Sequence, residues 1–300
     1  MKVAITGGSG LIGRRLLKTL ASSGHTVHLL SRHAGTNVPP GVKLSVWDAM
    51  KGEPPADALE GADAVIHLAG EPVAQKWNAA AKQKIRDSRI IGTQRLIQAL
   101  STISQRPAAL VSASAIGIYG SRDSEVLTES SAPGSGFLAQ VCQEWEKEAD
   151  MAESLGMRVV KIRIGIVLDK NGGALAKMLP AFRNFAGGRL ASGKQWMSWI
   201  HLHDLASLFQ YAVQKPVKGV FNGTAPNPVT NAEFTKQLAA ALHRPALFTV
   251  PALALKGIFG EMSDVLITGQ RVLPKAAQAG GFQFQYPELG PALANLLERR

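Results

Sequence analysis

The sequence predicts an α/β protein built on a doubly wound parallel sheet, and three observations carry that prediction. Short apolar runs alternate with helical patterns through the first two thirds of the chain. The connections between the runs are long enough to cross a sheet face and return in parallel. The first run, Val3-Ala4-Ile5, passes at once into Thr6-Gly7-Gly8-Ser9-Gly10-Leu11-Ile12-Gly13, a glycine-rich turn that opens a helix. Together these describe a Rossmann-type arrangement, in which ligands sit beyond the carboxyl ends of the strands.

Taken in order, the apolar runs place strands at 3–5, 26–30, 44–47, 64–68, 109–112 and 159–162. Helices fit at 12–23, where Leu16, Leu17 and Leu20 share one face, and at 79–101 and 137–155. After Gly165 the rhythm breaks: 172–198 is rich in Gly, Ala and Pro, and from Pro226 short helices at 231–243 and 251–260 alternate with turns. The chain therefore divides into a dinucleotide-binding domain over 1–168 and a smaller C-terminal lobe over 169–300 on the substrate side. The stretch around 200–225 is shared with the sheet.

Three hundred residues with 46% hydrophobic content suffice for a large core. No run reaches the roughly 18 apolar residues of a membrane span, and the first strand begins where an export signal would lie. The single cysteine, Cys142, leaves no internal disulfide and fits a reducing cytoplasm. A formal charge of +11 raises nucleic acid as a partner, but Lys and Arg are scattered without a basic run. The charge suits an anionic dinucleotide or substrate equally well. The expectation is a cytoplasmic protein that binds a small molecule, with neither nucleic acid nor membrane as partner. No His, Cys, Asp and Glu grouping has metal-ligand spacing, and no nucleophile elbow is present.

In the opening turn, Gly7 supplies the sharp bend, Gly10 the close approach of backbone to a pyrophosphate, and Gly13 the contact of helix with strand. Leu11 and Ile12 follow at the helix start. The residue ending the second strand separates NAD from NADP, because a carboxylate accepts from the ribose 2′-hydroxyl and repels a 2′-phosphate. Here Ser31-Arg32 carry no acid. A hydroxyl and a planar cation favour NADP(H). Asp48 after the third strand is placed to accept from an adenine amino group, or is an ordinary turn aspartate. Leu68-Ala69-Gly70 lets backbone lie against the cofactor.

These residues, with Gly61 to Gly70, Gly92-Thr93, Tyr119-Gly120 and Trp199-Ile200-His201-Leu202-His203-Asp204, resemble the extended short-chain dehydrogenase/reductases of the nucleoside-diphosphate-sugar epimerase group. Gly70-Glu71-Pro72, Arg163 to Leu168, Gly187-Gly188, Gly193-Lys194-Gln195-Trp196, Leu273-Pro274-Lys275 and Ala279 to Phe282 are similar to an atypical epimerase-family branch. The resemblance implies contacts to the cofactor from Arg89, Glu71 and Ile166 and an oxidoreductase or epimerase-like activity. It also implies a Tyr, a Lys four residues later and a Ser or Thr as acid/base machinery.

The chain departs from that pattern. Ala115 stands at the Ser/Thr position, and Phe137 and Val141 stand where the Tyr and Lys belong. Among the three tyrosines only Tyr211, with Lys215, has the spacing, and it lies too far along the chain to be more than coincidence. Met197 replaces the Arg that clamps a nucleotide-sugar diphosphate in relatives, so such sugars are disfavoured. Ser114, Tyr119 and Glu71 are the remaining candidates for chemistry. Two expectations stand side by side: an NADP(H)-dependent oxidoreductase acting on a small carbonyl or alcohol, and a non-catalytic NADP(H)-binding module that senses redox state.

Overall fold

The computed structural model describes residues 1–298. Seven strands form one parallel sheet: β1 (Lys2–Thr6), β2 (Thr26–Ser31), β3 (Lys43–Val46), β4 (Ala64–His67), β5 (Ala109–Ala115), β6 (Arg158–Ile164) and β7 (Gly219–Gly223). Their order is β7-β6-β5-β4-β1-β2-β3, and every pairing is parallel. The longer helices are α1 (Leu11–Ser22), α2 (Ala79–Thr102), α3 (Phe137–Asp150), α4 (Gly173–Arg183), α5 (Leu202–Gln214), α6 (Asn231–Leu242), α7 (Ala252–Phe259) and α8 (Leu289–Leu297). This is the doubly wound α/β architecture expected from the alternation. Strand order reverses between β1 and β4, which opens a crevice at their carboxyl ends.

The sequence explains the centre of the sheet directly. Val3, Ala4 and Ile5 of β1 and Ala64, Val65 and Ile66 of β4 are all fully buried, as strands covered on both faces require. Leu16, Leu17 and Leu20 pin α1 against one face. Leu96, Ala99 and Leu100 of α2 join the core on the other. Asn78 starts α2 by accepting a hydrogen bond from the Ala81 amide at 2.8 Å.

Two elements differ from expectation. The helix foreseen over 137–155 ends at Asp150, and its last turn tightens into a 3-10 helix, Met151–Leu155, closed by Gly156 in the left-handed region. The seventh strand, β7, lies in the stretch around 200–225 expected to be shared with the sheet, although the apolar runs place no strand there. Its sequence, Gly-Val-Phe-Asn-Gly, has only two apolar residues between glycines and is a strand because it completes the edge beside β6. Beyond the sheet, Trp199, Phe234, Leu238, Leu289 and Leu293 centre a separate apolar cluster in the C-terminal part of the chain.

A buried polar network ties these parts together. Arg163 of β6 and Glu146 of α3 pair through two parallel bonds, Nε to Oε1 at 2.8 Å and Nη2 to Oε2 at 2.9 Å. Burial alone would lower the Arg163 pKa, but Glu146 and Tyr119 outweigh it and hold the guanidinium charged. Ser114 donates to Glu146 at 2.6 Å, and Arg163 Nη1 donates to the Tyr119 hydroxyl at 2.9 Å. That hydroxyl donates to Asn222 Oδ1 at 2.7 Å, and Asn222 Nδ2 donates to the Leu273 carbonyl. Glu129 accepts from the Asn222 and Ala276 amides. The links among Ser114, Glu146, Arg163, Tyr119 and Asn222 are buried, so losing one member strands its partner. Arg163→Met should cost about 3–5 kcal/mol in urea unfolding, because it leaves Glu146 as an unpaired buried charge. Adding Glu146→Leu should recover most of that loss. A single-variant cost below about 1 kcal/mol would show that water reaches the pair.

Candidate functional site

The crevice between β1 and β4 is built by the glycine turn and by one hydrogen-bonded chain. Thr6 Oγ1 accepts from the Leu68 and Ala69 amides at 3.2 and 3.3 Å. Its proton therefore goes to His67 Nδ1 at 2.7 Å, and His67 Nε2–H donates to Thr93 Oγ1 at 3.1 Å. Thr93 in turn donates to the Arg89 carbonyl at 2.5 Å. The ends of two strands and the middle of α2 are thus fixed by one neutral imidazole. Burial pushes the His67 pKa down to about 4.

The three spaced glycines divide by geometry. Gly7 has φ +72°, and a Cβ on it would lie 2.7 Å from the Leu68 carbonyl carbon. A Cβ on Gly13 would lie 2.4 Å from Gly8 Cα, so both are required by the fold itself. Gly10 is different: a Cβ there would meet only the Gly7 carbonyl at 3.4 Å, an ordinary contact. It opens α1 in extended conformation, with no side chain capping the helix and no acid in the first turn. The amides at this helix start are left for an anion. Leu11 and Ile12 are half-buried beside it, and the Leu11 side chain rests near Gly172 and Gly173.

Arg32 is exposed at the end of β2 and has no hydrogen bond or ion pair among the described residues. Ser31 is buried, with its hydroxyl bonded to Thr36 Oγ1 at 2.8 Å. Asp48 accepts from the Met50 amide in a local turn and lies 3.7 Å from Lys51. Arg89 crosses Gly70, donates to the Glu71 and Ile85 carbonyls, and sits 5.1 Å over the Trp145 ring. Burial lowers its pKa, and no carboxylate pairs with it among the described residues. Glu71 is half-buried; its amide is held by Ser88 and its Oε1 by Gln75 at 3.4 Å. Ile166 is half-buried in a short parallel ladder opposite Trp199.

The candidates for chemistry do not assemble into one group. Tyr119 is 0% exposed with both hydroxyl partners satisfied, and burial raises its pKa. Ser114, 2% exposed, spends its proton on Glu146. Neither presents a free donor to a ligand, and both act within the buried network. Phe137 is half-buried with its ring edge-on to Trp77 at 5.3 Å, and Val141 is buried. Tyr211 donates to the Gly280 carbonyl and packs on Phe282, away from the glycine turn.

Two cations escaped the sequence reading. Lys82 Nζ lies 5.9 Å from the Trp77 ring and 5.4 Å from Phe137, and it pairs with Glu261. Arg271 stacks 4.5 Å over Trp196, with its Nε buried and unpartnered. Phe137 and Glu261 are distant from Lys82 in sequence, as Trp196 is from Arg271, so local spacing does not mark these contacts. Among the described residues no acid, His and Cys grouping could hold a metal, and no helix is long and apolar enough to cross a membrane.

Residues 3–224 match the NAD dependent epimerase/dehydratase family. The chain belongs to that family. Residues 250–296 match a second one, described as Domain of unknown function (DUF1731). The chain is 42% identical over 308 residues to the chloroplastic epimerase family protein SDR39U1 homolog of Arabidopsis thaliana, covering 99% of this chain and 87% of that protein. It is 38% identical to epimerase family protein YfhF of Bacillus subtilis, covering 100% and 99%. A crystal structure of the human epimerase family protein SDR39U1 with NADPH superposes with a TM-score of 0.88 at 35% identity, over 99% of both chains.

The buried imidazole gives a pH test. Its unfolded pKa is near 6.5 and its folded pKa about 4, so stability is full above pH 6.5 and declines toward pH 4 as the unfolded chain takes up the proton. The contribution is about 3 kcal/mol. Urea unfolding at pH 7 and pH 4 should show the wild type losing that much more than His67→Gln. Parallel losses in the two proteins would mean that His67 is not held neutral.

Proposed function

We propose that this protein binds NADP(H) across the β1–β4 crevice and serves as an oxidoreductase of a small, partly apolar carbonyl or alcohol. The observation that carries the cofactor reading is Gly10, the one glycine of the turn whose missing side chain the protein itself does not need. Its open face suits a pyrophosphate, with Arg32 free to meet a 2′-phosphate and Gly70 to Glu71 lying along the nicotinamide side. The NADPH held by the human relative supports the same choice. Residues 1–168 would carry the dinucleotide, and 169–300 would cover the substrate.

When bound, the cofactor supplies the hydride. The chain's own part is to orient and to exclude water. Trp77, Phe137 and Trp196 offer aromatic walls, and Glu71 is the carboxylate that directly follows the Leu68-Ala69-Gly70 backbone. The usual phenol and ammonium are replaced by Phe137 and Val141, with Ala115 in place of the hydroxyl. Ser114 and Tyr119 are positioning residues in this reading, and Glu71 is the acid/base candidate. The edge-on Phe137–Trp77 pair, which cannot move a proton, favours a second reading: an NADP(H)-binding module without turnover. Loss of NADPH absorbance across a panel of carbonyl compounds supports the oxidoreductase. Tight binding with no turnover across the panel supports the module.

NADPH should bind more tightly than NADH by calorimetry, and Arg32→Ala should erase most of the difference, about 1.5–3 kcal/mol for one charge-assisted phosphate contact. Equal affinities in the wild type would remove the NADP assignment. Gly10→Val should abolish binding of both dinucleotides while melting close to the wild type, whereas Gly13→Val should be strongly destabilised. Unchanged affinity in Gly10→Val would place the pyrophosphate elsewhere.

A further inference from the structure

The C-terminal part of the chain carries an apolar surface bordered by cations that the crevice does not use. Parallel pairing of Phe248 with Gly188 brings Leu247 and Phe248 beside the segment that holds Phe185 and Arg189. Leu247 is 85% exposed, Phe248 58% and Phe185 56%. Phe185 is held outward by backbone at φ +62°, a region that non-glycine residues seldom enter, and the Arg244 guanidinium lies 4.8 Å from its ring. Leu247 and Phe248 share with Arg189 and Lys236 the lining of an open depression of about 430 Å³. The chain continues through Pro251 into α7, where Leu253 is 82% and Ile258 64% exposed.

The charge beside Leu247 and Phe248 is mostly positive. From Arg183 to Ile258 the only acids are Asp204 and Glu233, and Asp204 is buried. Arg189, Lys236 and Arg244 form no ion pair among the described residues. Exposed apolar side chains grouped in this way mark an interaction surface. A second copy docking by the same face across a two-fold axis would set these cations against their own equivalents. An occupant with an apolar interior and an anionic surface satisfies both features, and a phospholipid bilayer has that structure.

We infer that this face docks on an anionic phospholipid bilayer, with Leu247 and Phe248 entering the headgroup region and Arg189, Lys236 and Arg244 meeting lipid phosphates. No spanning helix is involved, and this surface contact goes beyond the expectation of a protein without a membrane partner. The inference is independent of the cofactor reading.

The test is co-sedimentation of the full chain with vesicles of equal parts phosphatidylglycerol and phosphatidylcholine, and with phosphatidylcholine alone. The wild type should partition onto the first and not the second, and raised salt should release it. Leu247→Ser with Phe248→Ser should weaken partitioning at least about tenfold. Arg189→Ser with Lys236→Ser should weaken it roughly twenty-fivefold, at about fivefold per cation. Melting temperature and NADPH affinity, measured on each variant, should match the wild type and so separate loss of docking from loss of fold. Absence of partitioning, equal partitioning onto both vesicles, or variants that bind like the wild type would overturn the inference. A lipid-free dimer that Leu247→Ser dissociates would overturn it in favour of a second copy.

Discussion

The crevice depends on the acceptance of two amides just past the end of β4 by a single threonine hydroxyl. The Leu68 amide is shared between the Thr6 carbonyl and Thr6 Oγ1, and without that hydroxyl the Ala69 N–H would be unpaired at the base of the turn. Because that oxygen is used as an acceptor, its proton must find His67, and the tautomer of the imidazole is then decided. Gly7 can cross over this point only because it has no side chain to strike the same two residues. The glycine turn, the strand reversal and the position of α2 are therefore one arrangement, held by hydrogen bonds worth about 1 kcal/mol each and by the cost of leaving any unmade.

Much of this was legible in the chain because it depends on local pattern. The apolar runs of β1 and β4, the turn between β1 and α1, and the face of Leu16, Leu17 and Leu20 follow from periodicity and from glycine spacing. The bounds of β7 were not legible within the stretch around 200–225 assigned to the sheet, since Gly219 to Gly223 carry little strand preference and pair because β6 offers an edge. Among the candidate site residues, the sequence marked Gly10 and Arg32, whose roles rest on what they lack: a side chain in one case and a partner in the other. It could not weigh Ser114 and Tyr119, because their surroundings come from α3, β6 and β7. Whether a hydroxyl is available is a property of its neighbours, and these neighbours are distant in sequence.

The network around Arg163 shows what the fold does with side chains that could have been reactive. Serine, tyrosine, glutamate and arginine lie within hydrogen-bond reach of one another, a set that in an open cleft would be a candidate for proton transfer. Here each group is saturated by the next, and the C-terminal Leu273 and Ala276 are bonded to the same cluster. Its effect is to weld the later part of the chain to the sheet. The crevice is left with its glycine backbone and the open amides at the start of α1.

The placement of β7 has a consequence for synthesis. The strand that covers the β6 edge comes from residues 219–223, after α4, α5 and the segments between them have been made. A growing chain thus exposes an unpaired hydrogen-bonding edge on β6 for the whole interval from Ile164 to Gly223. Such an edge is a template for pairing with another chain. Its protection during that interval falls to Arg158 at the start of β6, whose carbonyl partners at Ala212, Val213 and Val217 are made only later, because Lys161 and Arg163 are paired with Asp150 and Glu146, which precede the strand.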